Sequence, residues 1–200
     1  MNKFLVLGTG DDINNINFDK IDNDYIIAGV NRIYEKIIPD YYFVYDVKEL
    51  MPIISDDIKL IYTHPAKLAE YYRERNDYTK SFHTYYDPEY TPGFKMDGKH
   101  YDCGHGSINY LLRLLNNYLF NGQENVFYLA GVPLLEGKGH FYGKRENETT
   151  LQSALNRFYN DFLRLKKFGY NIVSLMQESK LNELFPTEDL NIIYKDVNNG

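Results

Sequence analysis

The run Phe4-Leu5-Val6-Leu7-Gly8-Thr9-Gly10-Asp11-Asp12 constrains this chain more than any other segment. A short apolar strand near the amino terminus opens there into a Gly-x-Gly turn, which is how many nucleotide-binding α/β domains begin. Glycine at positions 8 and 10 lets the backbone turn sharply and approach a ligand closely, and N–H groups at such a turn can cradle an anion. The third glycine of a dinucleotide fingerprint is missing. Asp11 and Asp12 follow at once, and they would repel a phosphate unless they turn away, cap the next helix or bind a cation.

Beyond that turn, strand-like apolar runs alternate with helix-like ones, which predicts a doubly wound, mainly parallel α/β sheet with helices on both faces. The expected strands are 3–7, 25–29, 41–45, 58–62, 125–130 and 171–175. A helix over 106–121 follows from Ile108, Leu111, Leu112, Leu115 and Leu119 falling on one face, with Gly122 just past the end. Thr149-Thr150-Leu151-Gln152 reads as a capping box, and Leu151, Leu155, Phe158, Phe162 and Leu165 repeat at helical spacing up to Gly169. A further helix is expected over 65–75. The segment 76–104 is the least regular, and its Tyr, Pro, Gly and Asp content suggests a long functional loop or small subdomain inserted in one domain spanning 1–200.

Two hundred residues suffice for one full core and are short for two. No apolar run approaches the roughly 20 residues of a membrane helix, and the run after Lys3 is too short for a signal peptide, so a cytosolic location is expected. A single cysteine, Cys103, excludes an internal disulfide framework and a multi-cysteine zinc site. The formal net charge of −6 counts against general affinity for nucleic acid or anionic membrane, although a local basic patch is compatible with it. Richness in Asn, Lys, Ile and Tyr suggests an AT-rich genome, such as that of a low-GC bacterium or phage.

The opening VLGTGDDINNINFDKIDNDYIIAGVNRIYEKIIPDYYFVYD resembles that of bacterial sialyltransferases of the Campylobacter lipooligosaccharide type, glycosyltransferase family 42. There a strand, a Gly-Asn-Gly turn and a second strand ending in Arg-Cys-Asn occur in this order. NVFYLAGVPL resembles the family's strand ending in Gly-Ile-Asp, HFYGKREN its His-Tyr-x-Gly-His segment, and GYNIVSLMQESKLNELFP its final strand and the helix after it. The likeness extends to the related flagellin-glycosylating motility factors and pterin diphosphokinases. It implies a Rossmann-like, glycosyltransferase-A-like fold and a CMP-sugar donor held over the carboxyl ends of the strands, with no metal and no cofactor beyond the donor. It further implies that Gly8, Thr9 and Gly10 meet the donor phosphate and that Asn31 contacts the nucleotide. Asp46 falls where the family has another asparagine. Gly104, His105, Gly106 and Ser107 match its Ser-Gly turn at a helix start, and Ser179 matches a serine after the last strand.

This chain departs from the family at the chemistry. The general base is the second histidine of His-Tyr-x-Gly-His; Lys144 stands there, while the first histidine is kept as His140. Leu135 replaces a tyrosine that assists departure of the phosphate, and the stretch from Leu135 to His140 is too short for the family's lid, so the lid is reduced.

Sugar transfer needs a base near the acceptor hydroxyl and positive charge or hydrogen-bond donors at the leaving phosphate. His140 and His105 are the base candidates, because imidazole titrates near neutrality, and Arg32, Lys144 and Arg145 are candidates to neutralise the phosphate. The plainer alternatives are loop histidines at 140 and 105, and surface or turn residues at His64 and His100; His83 fits either role. Asp11 or Asp12 would cap the helix after the turn, and Asp46 the segment after strand three, in preference to holding a cation. Cys103 reads as a small buried residue before a nucleophile. Tyr71, Tyr72, Tyr85, Tyr86 and Tyr90 suit either an acceptor groove or amphipathic packing.

Three functions are therefore expected in order: a small glycosyltransferase-like enzyme acting from a nucleotide-activated sugar on a glycan or other hydroxyl; another nucleotide-dependent transferase, pterin diphosphokinase-like or nucleic-acid-modifying; or a binding protein that keeps the pocket without catalysis. Oligomeric state is left open.

Overall fold

The computed structural model of the chain describes residues 1–51, 54–58, 60–74, 81–85, 93–96, 99–102, 106–135 and 152–195. It is an α/β protein with a Rossmann-like parallel sheet of seven strands, ordered β5-β4-β3-β2-β1-β8-β9. The strands are β1 (Asn2–Leu7), β2 (Tyr25–Val30), β3 (Tyr41–Phe43), β4 (Leu60–Thr63), β5 (Ser81–Thr84), β8 (Asn125–Ala130) and β9 (Asn171–Ser174). β6 (Gly93–Met96) and β7 (Lys99–Asp102) form a separate antiparallel pair. The helices are α1 (Val47–Leu50), α2 (Pro65–Glu74), α3 (Gly106–Arg113) and α4 (Gln152–Lys167). The chain divides into two compact units, 1–27 with 122–200 and 28–121.

In the first unit β1 runs beside β8 in register from Asn2 opposite Asn125 to Leu7 opposite Ala130, and β8 pairs in turn with β9. Phe4, Leu5, Val6 and Leu7 are all fully buried, the continuous apolar run expected of a central parallel strand. Phe4 stacks on Phe127 at 5.2 Å, and Phe127 on Tyr170 at 6.2 Å. Leu155, Phe158, Phe162 and Leu165 of α4 are buried at the predicted helical spacing, with Phe162 against Phe185. That helix ends in a Schellman motif: Gly169 N–H donates to the Lys166 carbonyl and Tyr170 N–H to that of Leu165, with Gly169 at φ +78°. The capping-box residues Thr149 and Thr150 lie outside the described residues.

In the second unit β3, β4 and β5 align so that Phe43 lies opposite Tyr62, and Tyr62 opposite His83. Side chains alternate across a strand, so these three share a face. α3 covers that face through Tyr110, stacked on Phe43 at 5.1 Å. α2 covers the other, where Tyr71 and Tyr72 each approach Phe82 at 6.1 Å. The helix expected over 106–121 is α-helical only to Arg113. Leu114–Leu119 is a π-helical turn in which Phe120 N–H reaches back to the Leu115 carbonyl. At the end of this turn Tyr118 packs on Tyr85 at 5.8 Å and Phe120 on Tyr41 at 5.5 Å. The segment 76–104 contains the sheet-edge strand β5 together with β6 and β7. β5 escapes a periodicity reading because Phe82 is its one apolar residue and the other three side chains are exposed.

Candidate functional site

In the first unit the carboxyl ends of β1 and β8 close on each other. Gly8 N–H donates to the Ala130 carbonyl at 2.8 Å, and Gly10 N–H to that of Gly131 at 2.9 Å. A Cβ on Gly8 would stand 2.2 Å from the Gly131 oxygen, so glycine here permits approach of the chain's own backbone. Both glycine N–H groups are thus committed within the fold. Thr9 is buried between them.

The two aspartates do not cap the helix after the turn. A short 3₁₀ segment, Asp11–Asn15, follows with Gly10 at its N-cap and no side-chain cap bond. Asp12 instead uses Oδ2 to accept the Gly131 N–H at 3.1 Å, across the two loops. The carboxylate thereby pins a glycine held at φ +75°. Leu134, a few residues on, sits at φ +50°, a costly conformation for a residue that carries a Cβ, and is buried.

Below this loop lies a polar knot that local sequence signals do not reveal. Asn182 donates from Nδ2 to the carbonyls of Met176 and Gln177, at 2.9 and 3.2 Å, and accepts the Ser174 hydroxyl at 2.6 Å through Oδ1. Ser179, expected to face the nucleotide, donates to the Val132 carbonyl at 3.1 Å. It also accepts the Leu181 N–H at 3.0 Å, as N-cap of the 3₁₀ turn Lys180–Glu183. Its hydroxyl works within the fold.

In the second unit Asn31 follows the last residue of β2 and takes φ +53°. Its carbonyl accepts the hydroxyl of Tyr42, a fully buried residue of β3. Burial, then Tyr34 and Glu35, hold that phenol well above its ordinary pKa, so it stays a donor. The Asn31 side-chain oxygen is itself buried and has no hydrogen-bond partner. Arg32 pairs with Glu35 one turn on. Asp46 is the N-cap residue of α1, but its carboxylate makes no cap bond; its carbonyl accepts the Leu50 N–H.

Gly106 and Ser107 open α3, and both are buried. The Ser107 hydroxyl and both polar atoms of the Asn109 side chain, on residues 1% and 0% exposed, have no partner. Native proteins seldom leave buried polar atoms unpaired, which makes these atoms in the first turns of α3 candidates for a ligand contact. Asn109 was invisible in the sequence, since an asparagine inside an apolar helical stripe carries no local signal.

His64, expected at the surface or a turn, lies between Tyr45 and Tyr110 at ring distances of 6.0 and 5.8 Å. Burial and the nearby Lys67 lower its pKa. Tyr71, Tyr72 and Tyr85 take the packing role, in contact with Phe82 and Tyr110. His105, His140, Lys144 and Arg145 lie outside the described residues, as do Cys103, Gly104, Tyr86 and Tyr90. Among the described residues no group of three or more His, Cys, Asp or Glu side chains is placed to hold a metal ion. No described helix is long and apolar enough to cross a membrane.

No protein-family model matches the chain, and neither a curated protein nor a solved structure matches it.

Proposed function

We propose that this chain is a glycosyltransferase-like enzyme that transfers a sugar from a nucleotide-activated donor, a CMP-sugar, to an acceptor hydroxyl. The observation that carries the reading is the unpaired, buried polar chemistry of Asn31 and Ser107. Both are positions at which the family resemblance puts a ligand contact. Ligands of open α/β sheets bind beyond the carboxyl ends of the strands, and Asn31 directly follows one such end. Its amide presents an acceptor and a donor on one plane, suited to the polar edge of a base. Ser107 stands in the first turn of α3, where unsatisfied N–H groups and the helix dipole favour a phosphate or carboxylate. His140 or His105 would take the acceptor proton, with Lys144, Arg145 and Arg32 offsetting charge on the leaving phosphate.

Thermal unfolding in the presence of CMP, CDP, UDP and ATP, with and without magnesium, tests the reading. A ligand that binds only the folded state adds about 2.7 kcal/mol of stability at a hundredfold excess over its Kd. CMP should raise the melting temperature without magnesium, and Asn31→Ala and Ser107→Ala should abolish the shift while the unliganded protein stays folded. Stabilisation by ATP only with magnesium would favour a diphosphokinase instead. No response to any nucleotide would overturn the proposal.

A further inference from the structure

The start of α2 is built on an unusual residue. The His64 carbonyl accepts the N–H groups of Lys67 and Leu68, at 3.0 and 3.1 Å, which makes His64 the N-cap and Pro65 the first helical residue. Proline suits that position because its missing N–H would have no helical partner. The next N–H, that of Ala66, donates to His64 Nδ1 at 3.2 Å. This is the bond that Ser, Thr, Asp or Asn usually accepts at a helix N-cap. None of those side chains changes charge near neutrality, whereas imidazole does.

We propose that His64 is a titratable cap that ties the first turn of α2 to pH, closed while the imidazole is neutral and released when it is protonated. Two consequences of protonation act together. Nδ1 becomes a donor and loses the Ala66 N–H, so the two groups meet proton to proton. A positive charge also arises at the positive end of the helix dipole, where it is unfavourable.

The first turn of α2 has no acidic residue. Lys67, on the same turn, is a further cation, with its ammonium 3.4 Å from Glu70 and 5.1 Å above the Tyr45 ring. Among the described residues, the ring of Tyr45 after β3 and the ring of Tyr110 from α3 face the imidazole. Burial and Lys67 accordingly depress the imidazole pKa. With the folded value below the ordinary one, the cap's contribution is fully present above about pH 6.5 and is lost as pH falls through the folded pKa.

The inference is independent of the nucleotide reading, and it is tested on the full chain by amide hydrogen exchange and imidazole NMR between about pH 7.5 and 5. The Ala66 and Leu68 amides should lose about five- to tenfold in protection factor on acidification, the scale of one lost cap and an adverse charge. The His64 ring should titrate below about 6.5. His64→Asn keeps an acceptor without a charge change and should give flat protection over the range; His64→Asp serves the same purpose should that variant fold poorly. A wild-type profile already flat, an equal loss in the variants, or a His64 pKa at or above the ordinary value would each overturn the proposal.

Discussion

Tyr110 donates its hydroxyl to the carbonyl of Tyr85 at 3.1 Å, and the two rings meet edge to face at 5.3 Å. Tyr85 N–H in turn donates to the Thr63 carbonyl at the end of β4. One tyrosine thus joins α3 to the end of the edge strand by packing and by a buried hydrogen bond. Tyr110→Phe keeps the ring and removes the bond, so it should cost about 1–2 kcal/mol, read as a lower urea midpoint at unchanged slope. An unaltered midpoint would show that the hydroxyl contributes nothing.

Gly8→Ala should be far worse than Gly169→Ala. At Gly8 the new Cβ would meet a backbone oxygen, and relief requires parting β1 from the β8 loop, at a cost of about 3 kcal/mol or more. At Gly169 nothing lies within 4 Å of the added carbon, and the loss is the left-handed conformation alone, about 1–2 kcal/mol. Paired denaturation curves of the two variants measure the difference.

Asn182→Ala removes three side-chain hydrogen bonds around Ser174 and Met176 and should destabilise by about 2–3 kcal/mol. Asn182→Asp keeps an acceptor for Ser174 and loses the two donors. Its second carboxylate oxygen would face the Met176 and Gln177 carbonyls that the amide now serves, acceptor against acceptor, so this variant should melt no higher than the alanine one.

Alkaline stability should depend on Tyr25. Its hydroxyl donates to the Ile192 carbonyl at 3.2 Å, and burial, followed by Tyr128, pushes its pKa up to about 12. A group whose folded pKa is raised contributes stability that is complete below its unfolded value, near 10, and lost as pH rises through the folded one. Stability should decline between about pH 10 and 12, and Tyr25→Phe should flatten that decline in a series of melting curves. A slope unchanged by the substitution would assign the alkaline loss to other residues.

Much of the fold was legible locally. Six strands and the helices starting at Pro65, Gly106 and near Gln152 follow from apolar spacing and from Pro and Gly punctuation. β5 was not, because an edge strand with exposed Ser81, His83 and Thr84 buries too little to impose a period. The π-helical turn was hidden for a different reason. Its apolar stripe fits an α-helix as well, and the choice is visible only in the contacts of Tyr118 and Phe120. The Asp11-Asp12 pair read as a cap, yet Asp12 bonds to a residue 119 positions away.

The sequence by itself determined where strands and helices form and that they alternate, since side-chain periodicity and backbone freedom are properties of neighbouring residues. It also placed glycine at position 8 and asparagine at position 31, without saying what they would meet. Only the tertiary structure decided which polar groups are consumed in folding. The N–H groups of Gly8 and Gly10 and the hydroxyl of Ser179 find partners in the β8 loop. The oxygens of Asn31 and Ser107 stay buried and unpaired. Hydrogen bonds are short, directional and saturable, so whether a group remains available depends on partners that the chain brings up from far along its length.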